Sequence, residues 1–358
     1  MSARSEWSLS APQKLTFDEP VSALHVRIVS GTVNIVGTDS GPASLQLSEI
    51  EGLPLVVSLD HGILSIAYDD LPWKGFLKLL DGKGWQRSAH ITLTVPTDTR
   101  AEVGAINAAA VISALSGRTE VRGVSGDSTL VGLTGDVRAD TVSGHVEAQS
   151  LGGSLRFNSV SGGLTVIDGT GPALKADSVS GAMVVDIAPA ATPTSLSLNT
   201  VSGDIAIRLP DPANMAVEAH TASGTLANAF DNLRVAGSPW GDTWGPWASP
   251  SGTGGKITGN LGRARGRLKA ASVSGAIAVL RRPPSEESAD APVDAPTAGA
   301  PSGADSGPHA PPGPSVPTGP ATPTGPAAPD TPTVPHPAGD RPHTDDRHET
   351  RPSDKKVL

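Results

Sequence analysis

Thr141-Val142-Ser143-Gly144-His145-Val146 is followed by Ser159-Val160-Ser161-Gly162-Gly163-Leu164, by Ser178-Val179-Ser180-Gly181-Ala182-Met183 and by Thr200-Val201-Ser202-Gly203-Asp204-Ile205. A phrase that keeps returning marks stacked coils, in which each repeat has an apolar face that only its neighbour covers. Ser125-Gly126 belongs to the same series. Gly117, Gly126, Gly135, Gly144, Gly153, Gly162 and Gly171 follow one another at nine residues, and Gly181, Gly203 and Gly224 continue at looser intervals. Val-Ser-Gly at Gly126, Gly144 and Gly162 alternates with Leu-Ser-Gly, Leu-Thr-Gly and Leu-Gly-Gly at Gly117, Gly135 and Gly153, so the full unit is eighteen residues in two halves. The expected fold is all-β: a flattened β-solenoid whose rungs have two sides and about eighteen residues each.

A turn built on Ser-Gly suits such a rung. Glycine supplies positive φ or close backbone approach, and the hydroxyl before it can bond backbone groups of its own turn or of the next rung. The structural turn residues are therefore Ser125 and Gly126, Ser143 and Gly144, Ser161 and Gly162, Ser180 and Gly181, and Ser202 and Gly203. Stacking turns each position into a column. Val124, Val142, Val160, Val179 and Val201 read as one apolar column, and Leu130, Ala148, Val166, Val185 and Ile207 as another. On this reading an Asp at Val160 frays the stack. Strand parity leaves open whether positions of the Val142 type or of the Ser143 type face the core; a corner at Ser-Gly restarts the alternation.

Upstream, alternating apolar residues mark strands at Leu24, Val26 and Ile28, at Val33 and Ile35, at Leu64, Ile66 and Tyr68, and at Ile91, Leu93 and Val95. Ser30-Gly31-Thr32-Val33 already has the form of the repeat, so residues 1–100 are expected to supply the first strands and cap of the solenoid. Between the strands, Leu71-Pro72-Trp73-Lys74-Gly75-Phe76-Leu77-Lys78-Leu79-Leu80, with Trp85, mixes large apolar residues with lysine. This suits a short helix folded over the solenoid end, or docking to a membrane surface or partner through Trp73, Phe76 and Trp85.

Aromatics are only 3% of the chain, so the expected core is narrow and aliphatic. There is no cysteine, hence no disulfide framework or thiolate metal site. A formal charge of −9 argues against nucleic acid as a partner. Met1 to Leu15 lacks the apolar region of a signal peptide and no run reaches membrane-spanning length, so the expected location is cytoplasmic, peripheral to the membrane at most.

Catalytic signals are sparse. A calcium roll shares the period of nine but needs an Asp in each loop, and only Asp127, Asp136 and Asp204 approach that pattern. Asp140, Asn158, Asp177, Asn199 and His220 read as a polar column that either assembles an acid and base on a β-helix or accepts backbone hydrogen bonds beside a turn. His145 and His220 have no Ser and Asp partners or second metal ligand at motif spacing. Pro250 to Lys256 fails as a phosphate loop, with Pro250 in place of the first glycine and Ile257 in place of the hydroxyl residue. Arg263, Arg265, Arg267 and Lys269 give a basic strand face. No catalytic residue, cofactor or metal is predicted.

The rhythm breaks over 229–262, where Trp240, Trp244 and Trp247 either plug the C-terminal end or offer an aromatic platform to a glycan or partner. It resumes at Ser272-Val273-Ser274-Gly275, which completes a repeat region of 101–282. From Pro283 to Leu358 the composition of Pro, Ala, Thr, Gly and Asp predicts a disordered tail.

These Ser-Val-Ser-Gly repeats, the strand ending Leu93-Thr94-Val95-Pro96 before them, and the closing Ala276-Ile277-Ala278-Val279-Leu280-Arg281-Arg282 resemble the bacterial β-strand-repeat family named for adhesins and for its toastrack domain. The resemblance covers about Phe17 to Arg282. It implies a single-sheeted or flattened solenoid without known catalytic residues, serving assembly or sensing in envelope-stress systems. The resulting expectation is a non-enzymatic scaffold engaging an unidentified protein partner, near the membrane. The alternatives are a glycan-binding or glycan-cleaving β-helix, or an adhesin-like surface protein. Solenoid ends also allow an edge-to-edge dimer.

Overall fold

A computed structural model describes residues 5–69, 87–190, 192–237 and 254–283. All described residues belong to one compact unit within residues 1–292. The tail expected from Pro283 onward lies outside the described residues except for Pro283 itself.

The described residues are all-β, with twenty-four strands. The N-terminal part holds β1 (Ser5–Leu9), β2 (Gln13–Phe17), β3 (Ala23–Thr38), β4 (Ala43–Glu51), β5 (Leu55–Asp60), β6 (Ile63–Tyr68) and β7 (Ser88–Pro96). Next comes β8 (Arg100–Ser113), then the short repeat strands β9 (Thr119–Gly123), β10 (Ser128–Val131), β11 (Val137–Thr141), β12 (Val146–Gln149), β13 (Leu155–Ser159), β14 (Leu164–Gly169), β15 (Ala173–Asp177), β16 (Met183–Ile187), β17 (Ser195–Asn199) and β18 (Ile205–Leu209). The C-terminal part holds β19 (Met215–Thr221), β20 (Leu226–Asn228), β21 (Leu233–Gly237), β22 (Gly255–Leu261), β23 (Gly266–Ser272) and β24 (Ile277–Arg281).

Two parallel ladders run the length of the repeats. The first stacks β8, β9, β11, β13, β15 and β17; the second stacks β8, β10, β12, β14, β16 and β18. The long strands β3 and β8 belong to both, paired in parallel from Ala23↔Arg100 to Val36↔Ser113. N-terminal antiparallel strands extend each ladder: β5 and β1 beyond β6, and β4 and β2 beyond β7. The first strands are thus built into the same stack.

The core is the thin space between the ladders. Val137, Ala139, Leu155, Phe157, Leu174 and Leu196 from the first ladder are buried, as is the predicted second-ladder column Leu130, Ala148, Val166, Val185 and Ile207. Each fully buried aliphatic side chain contributes about 1.5–3 kcal/mol. The core of the rungs is almost wholly aliphatic; Phe157 and Phe230 are the buried aromatics among the described repeat residues.

The two corners of a rung differ, and this explains the two glycine flavours. At the Leu corner, Ala114, Gly132, Ser150 and Asp168 take positive φ between 54° and 62°, which turns Leu115, Leu133 and Leu151 into the core. At the Val corner, Val142 keeps the outward parity of Arg138 and Asp140, the chain bends at Ser143, and Gly144 starts the inward set of the next strand. Both Val142 and Ser143 therefore face solvent. The expected inward valine column is overturned: Val142, Val160, Val179 and Val201 are exposed, and Val124 is only partly buried.

The last repeat is stacked out of chain order. Strands β23 and β24 do not lie beyond β19 and β20 but between them and β17 and β18: β23 pairs with both β17 and β19, and β24 with both β18 and β20. The chain reaches this place because β22 and β23 straddle β19, with β22 antiparallel on its outer side and β23 parallel on its inner side. The crossing is pinned at Asn214, whose carbonyl accepts from Gly266 N–H at 2.9 Å and whose Oδ1 accepts from Arg263 N–H at 3.0 Å. Outside β22 lies β21, the last strand of the first ladder.

Candidate binding surfaces

The Val corner is a rigid ridge assembled by three repeated hydrogen bonds. The hydroxyl at the first position of each phrase accepts from the glycine N–H three residues on: Thr141 from Gly144 at 3.1 Å, Ser159 from Gly162 at 2.7 Å, Ser178 from Gly181 at 2.9 Å and Thr200 from Gly203 at 3.1 Å. The valine carbonyl accepts twice from the next rung, as when Val142 O takes Ser161 N–H at 2.8 Å and Ser161 Oγ–H at 3.2 Å. Ser143 bonds Val124 O, Ser180 bonds Val160 O and Ser202 bonds Val179 O in the same way. Ser125 bonds the Ile106 carbonyl at 3.2 Å. The Ser-Gly residues are thus occupied with the turn itself.

Glycine is needed here for close approach. A β-carbon at Gly126 would stand 1.9 Å from the Ala108 carbonyl oxygen, and one at Gly144, Gly162, Gly181 or Gly203 would stand 2.0–2.1 Å from the preceding glycine's oxygen. With both polar groups of the turn bonded along the stack, each valine side chain is left facing outward. Val142, Val160, Val179, Val201 and Val273 form a stripe, one side chain per rung at about 4.8 Å, with exposures from 39% to 52%.

The broad faces differ in chemistry. Across the first ladder the outward row Glu102, Glu120, Arg138, Arg156, Lys175, Ser197, Lys269 and Glu218 is mostly charged. Arg122 bonds Glu120 at 2.5 Å and Glu102 at 3.3 Å, and Arg138 bonds Asp140 at 2.6 Å. Asp140 thereby raises the pKa of Arg138 above its ordinary value. Across the second ladder the matching row is Val111, Thr129, Glu147, Thr165, Val184, Ala206, Ala278 and Ala227, with a single charge.

The polar column is only partly as predicted. Asn158 Nδ2 donates to Asp140 Oδ1 at 2.6 Å and Asn199 Nδ2 to Asp177 Oδ1 at 2.8 Å, so each carboxylate is held by an amide of the next rung. His220 does not follow Asn199: Ala271 of the inserted strand lies between them, and Lys256 lies beyond. His145 N–H donates to Asp127 at 2.8 Å and its ring pairs with Thr165. Among the described residues no three His, Asp or Glu side chains gather as a metal site.

Of the basic residues, Arg267 and Lys269 face outward on β23, and Lys269 is the register partner of Glu218. A hydrogen bond from Lys256 at 2.8 Å, with the charges of Lys256, Lys269 and Arg267, holds the Glu218 carboxyl below its ordinary pKa. Arg265 borders a groove of about 150 Å³ lined by Pro189, Pro210, Pro212 and Asn214, where the Leu corner loses its glycines and widens. The candidate contact residues Trp73, Phe76, Trp85, Trp240, Trp244 and Trp247 lie outside the described residues.

One charged cluster had no sequence signal. Arg282 donates to Asp168 and approaches Asp186 at 3.7 Å, while Arg208 stands 4.0 Å from Asp186. It ties the end of the inserted rung to two earlier rungs; only the insertion brings Arg282 within reach of them.

The profile of the family described as Toastrack DUF4097 matches residues 25–235. Two solved structures are similar to the chain. One, a candidate cell adhesion protein from Clostridium sporogenes ATCC 15579, has 11% identity and a TM-score of 0.24, covering 76% of this chain and all of its own. The other, a candidate lipid binding protein from Parabacteroides distasonis ATCC 8503, has 12% identity and a TM-score of 0.32, covering 77% of this chain and 98% of its own. No curated protein matches. Among the described residues no helix is long and apolar enough to cross a membrane.

Proposed function

The chain belongs to the Toastrack family, and from that premise we propose that it is a non-enzymatic β-solenoid scaffold holding a protein partner on its outer surface, in the cytoplasm and peripheral to the membrane, within an envelope-stress or other regulatory system. The observation that carries this reading is the valine stripe from Val142 to Val273. Apolar side chains repeated in line on a surface are a feature of interaction sites. The stripe is also preorganised, since backbone hydrogen bonds fix its spacing and little ordering entropy opposes contact. A catalytic β-helix reading finds less support, because Asp140 and Asp177 are engaged by Asn158 and Asn199 instead of facing a shared groove.

The test compares the full chain with a V160S/V179S/V201S variant as bait in lysate containing gently solubilised membranes. The scaffold reading expects a specific protein to co-purify with the wild-type chain and to be lost with the variant, both chains having the same melting temperature. Capture of no specific protein, or equal capture by both, overturns it.

A further inference from the structure

The position of β23 and β24 has a consequence for assembly. Every earlier repeat rung is laid on the one before it, but this rung enters beneath its predecessor. The three rungs at this end share one register. Leu196, Leu268 and Val217 form one column, Ile205, Ile277 and Leu226 another, and Thr200, Ser272 and Thr221 stand in line before their glycines. A β-carbon at Gly275 would stand 1.8 Å from Gly203 O, and one at Gly224 would stand 2.0 Å from Gly275 O, so all three turns nest alike.

Thr221-Ala222-Ser223-Gly224 therefore has the form needed to stack directly on Thr200-Val201-Ser202-Gly203, as Ser272-Val273-Ser274-Gly275 does. The observed rung order satisfies this hydrogen-bonding pattern, and a second order would satisfy it as well. In one, the slot between β17–β18 and β19–β20 is filled by β23–β24. In the other, β19–β20 closes onto β17–β18 and leaves β23–β24 unpaired, with Leu268, Ala270, Ile277 and Val279 uncovered. A chain in the second state has a rung to donate, and when its β19–β20 parts from β17–β18 its open slot presents the matching backbone on both sides to a rung from another copy.

We propose that this slot is a binding site for a rung supplied in trans, and that its partner is a second copy of this chain. Recognition is by strand addition, in which the backbone gives affinity and the alternating aliphatic side chains with the hydroxyl-x-Ser-Gly turn give specificity. The contacts in trans are the ones made within one chain, so the slot needs no surface beyond those described. Reciprocal donation closes a two-fold dimer, and one-way donation extends a chain of copies.

The chain has no cysteine, which permits a direct test with full-length variants. Ala206 and Ala278 are register partners on β18 and β24, and neighbouring strands about 4.8 Å apart lie within disulfide reach. The double variant A206C/A278C, refolded at low concentration, should form a disulfide within one chain. The single variants A206C and A278C, unfolded, mixed, refolded at high concentration and oxidised, should form a disulfide-linked heterodimer several-fold above a T129C and A278C control mixture. A heterodimer yield at the control level, with the double variant closing normally, overturns the proposal. So does failure of the double variant to close, because the register of the slot would then be wrong.

Discussion

The carbonyl oxygen of Gly144 lies 2.0 Å from where a β-carbon on Gly162 would stand. Stacked turns make this contact rung after rung, so the glycine is fixed by the backbone beneath it. Gly162→Ala should displace backbone and cost more than the roughly 1–3 kcal/mol usual for overpacking. Gly132→Ala should cost only about 1 kcal/mol, because Gly132 has φ of 62° but nothing within 4 Å of its β-position. Thermal unfolding of the two variants checks the ranking; equal losses would show that the close approach is not what selects glycine.

Val160 is 51% exposed and Leu133 is fully buried, although both stand just before the last two residues of a repeat phrase. Val160→Asp should change stability by no more than about 0.5 kcal/mol. Leu133→Ala should cost about 2–5 kcal/mol. Urea unfolding distinguishes them, and a large loss for Val160→Asp would restore the inward valine column.

Ser178 and Ser180 flank the same valine with different duties. The buried Ser178 hydroxyl accepts from Gly181 N–H at 2.9 Å, whereas Ser180 Oγ reaches Val160 O at 3.4 Å in an exposed position. Ser178→Ala should cost about 1–3 kcal/mol by leaving a buried donor unpaired, and Ser180→Ala should fall within about 0.5 kcal/mol. Chemical denaturation of both variants in parallel measures the difference.

Arg282 supports the buried Asp186 from a rung far away in sequence. Arg282→Ala should cost about 2–3 kcal/mol, and the double variant R282A/D186N should recover part of that loss by removing the stranded charge. A double-mutant cycle on Tm reads the coupling; additivity of the two changes would show that the pair is not coupled.

The Glu218–Lys256 pair gives a pH signature on the outer strands. Because the Glu218 pKa is lowered in the fold, its stabilising effect is present above the ordinary carboxylate pKa and is lost as pH falls through the lowered value. Both side chains are about half exposed, so the effect should be small and screened by salt. Wild type should melt slightly above E218Q at neutral pH and low salt, with the gap closing in acid and in high salt. A gap that widens in acid would contradict the assigned sign.

Repetition made much of this protein legible from its residues. Glycines at nine-residue spacing set the half-rung, and the column Leu130, Ala148, Val166, Val185 and Ile207 could be read as inward because its neighbours alternate cleanly. The same signal fails at Val142, where residue type points an apolar side chain beside a turn inward but strand parity, running through Arg138 and Asp140, points it outward as found. Arg282 with Asp168 and Asp186 offered no local pattern at all.

Repeats, rung length and core columns were determined by sequence, because each depends on the period of side chains along a stretch of strand. Rung order was decided by tertiary structure. The phrases at Thr200, Thr221 and Ser272 present nearly the same backbone bonds and turn chemistry, so no local preference can say which stacks on which. The crossing of β22 and β23 around β19, held at Asn214, places the last rung inside the stack.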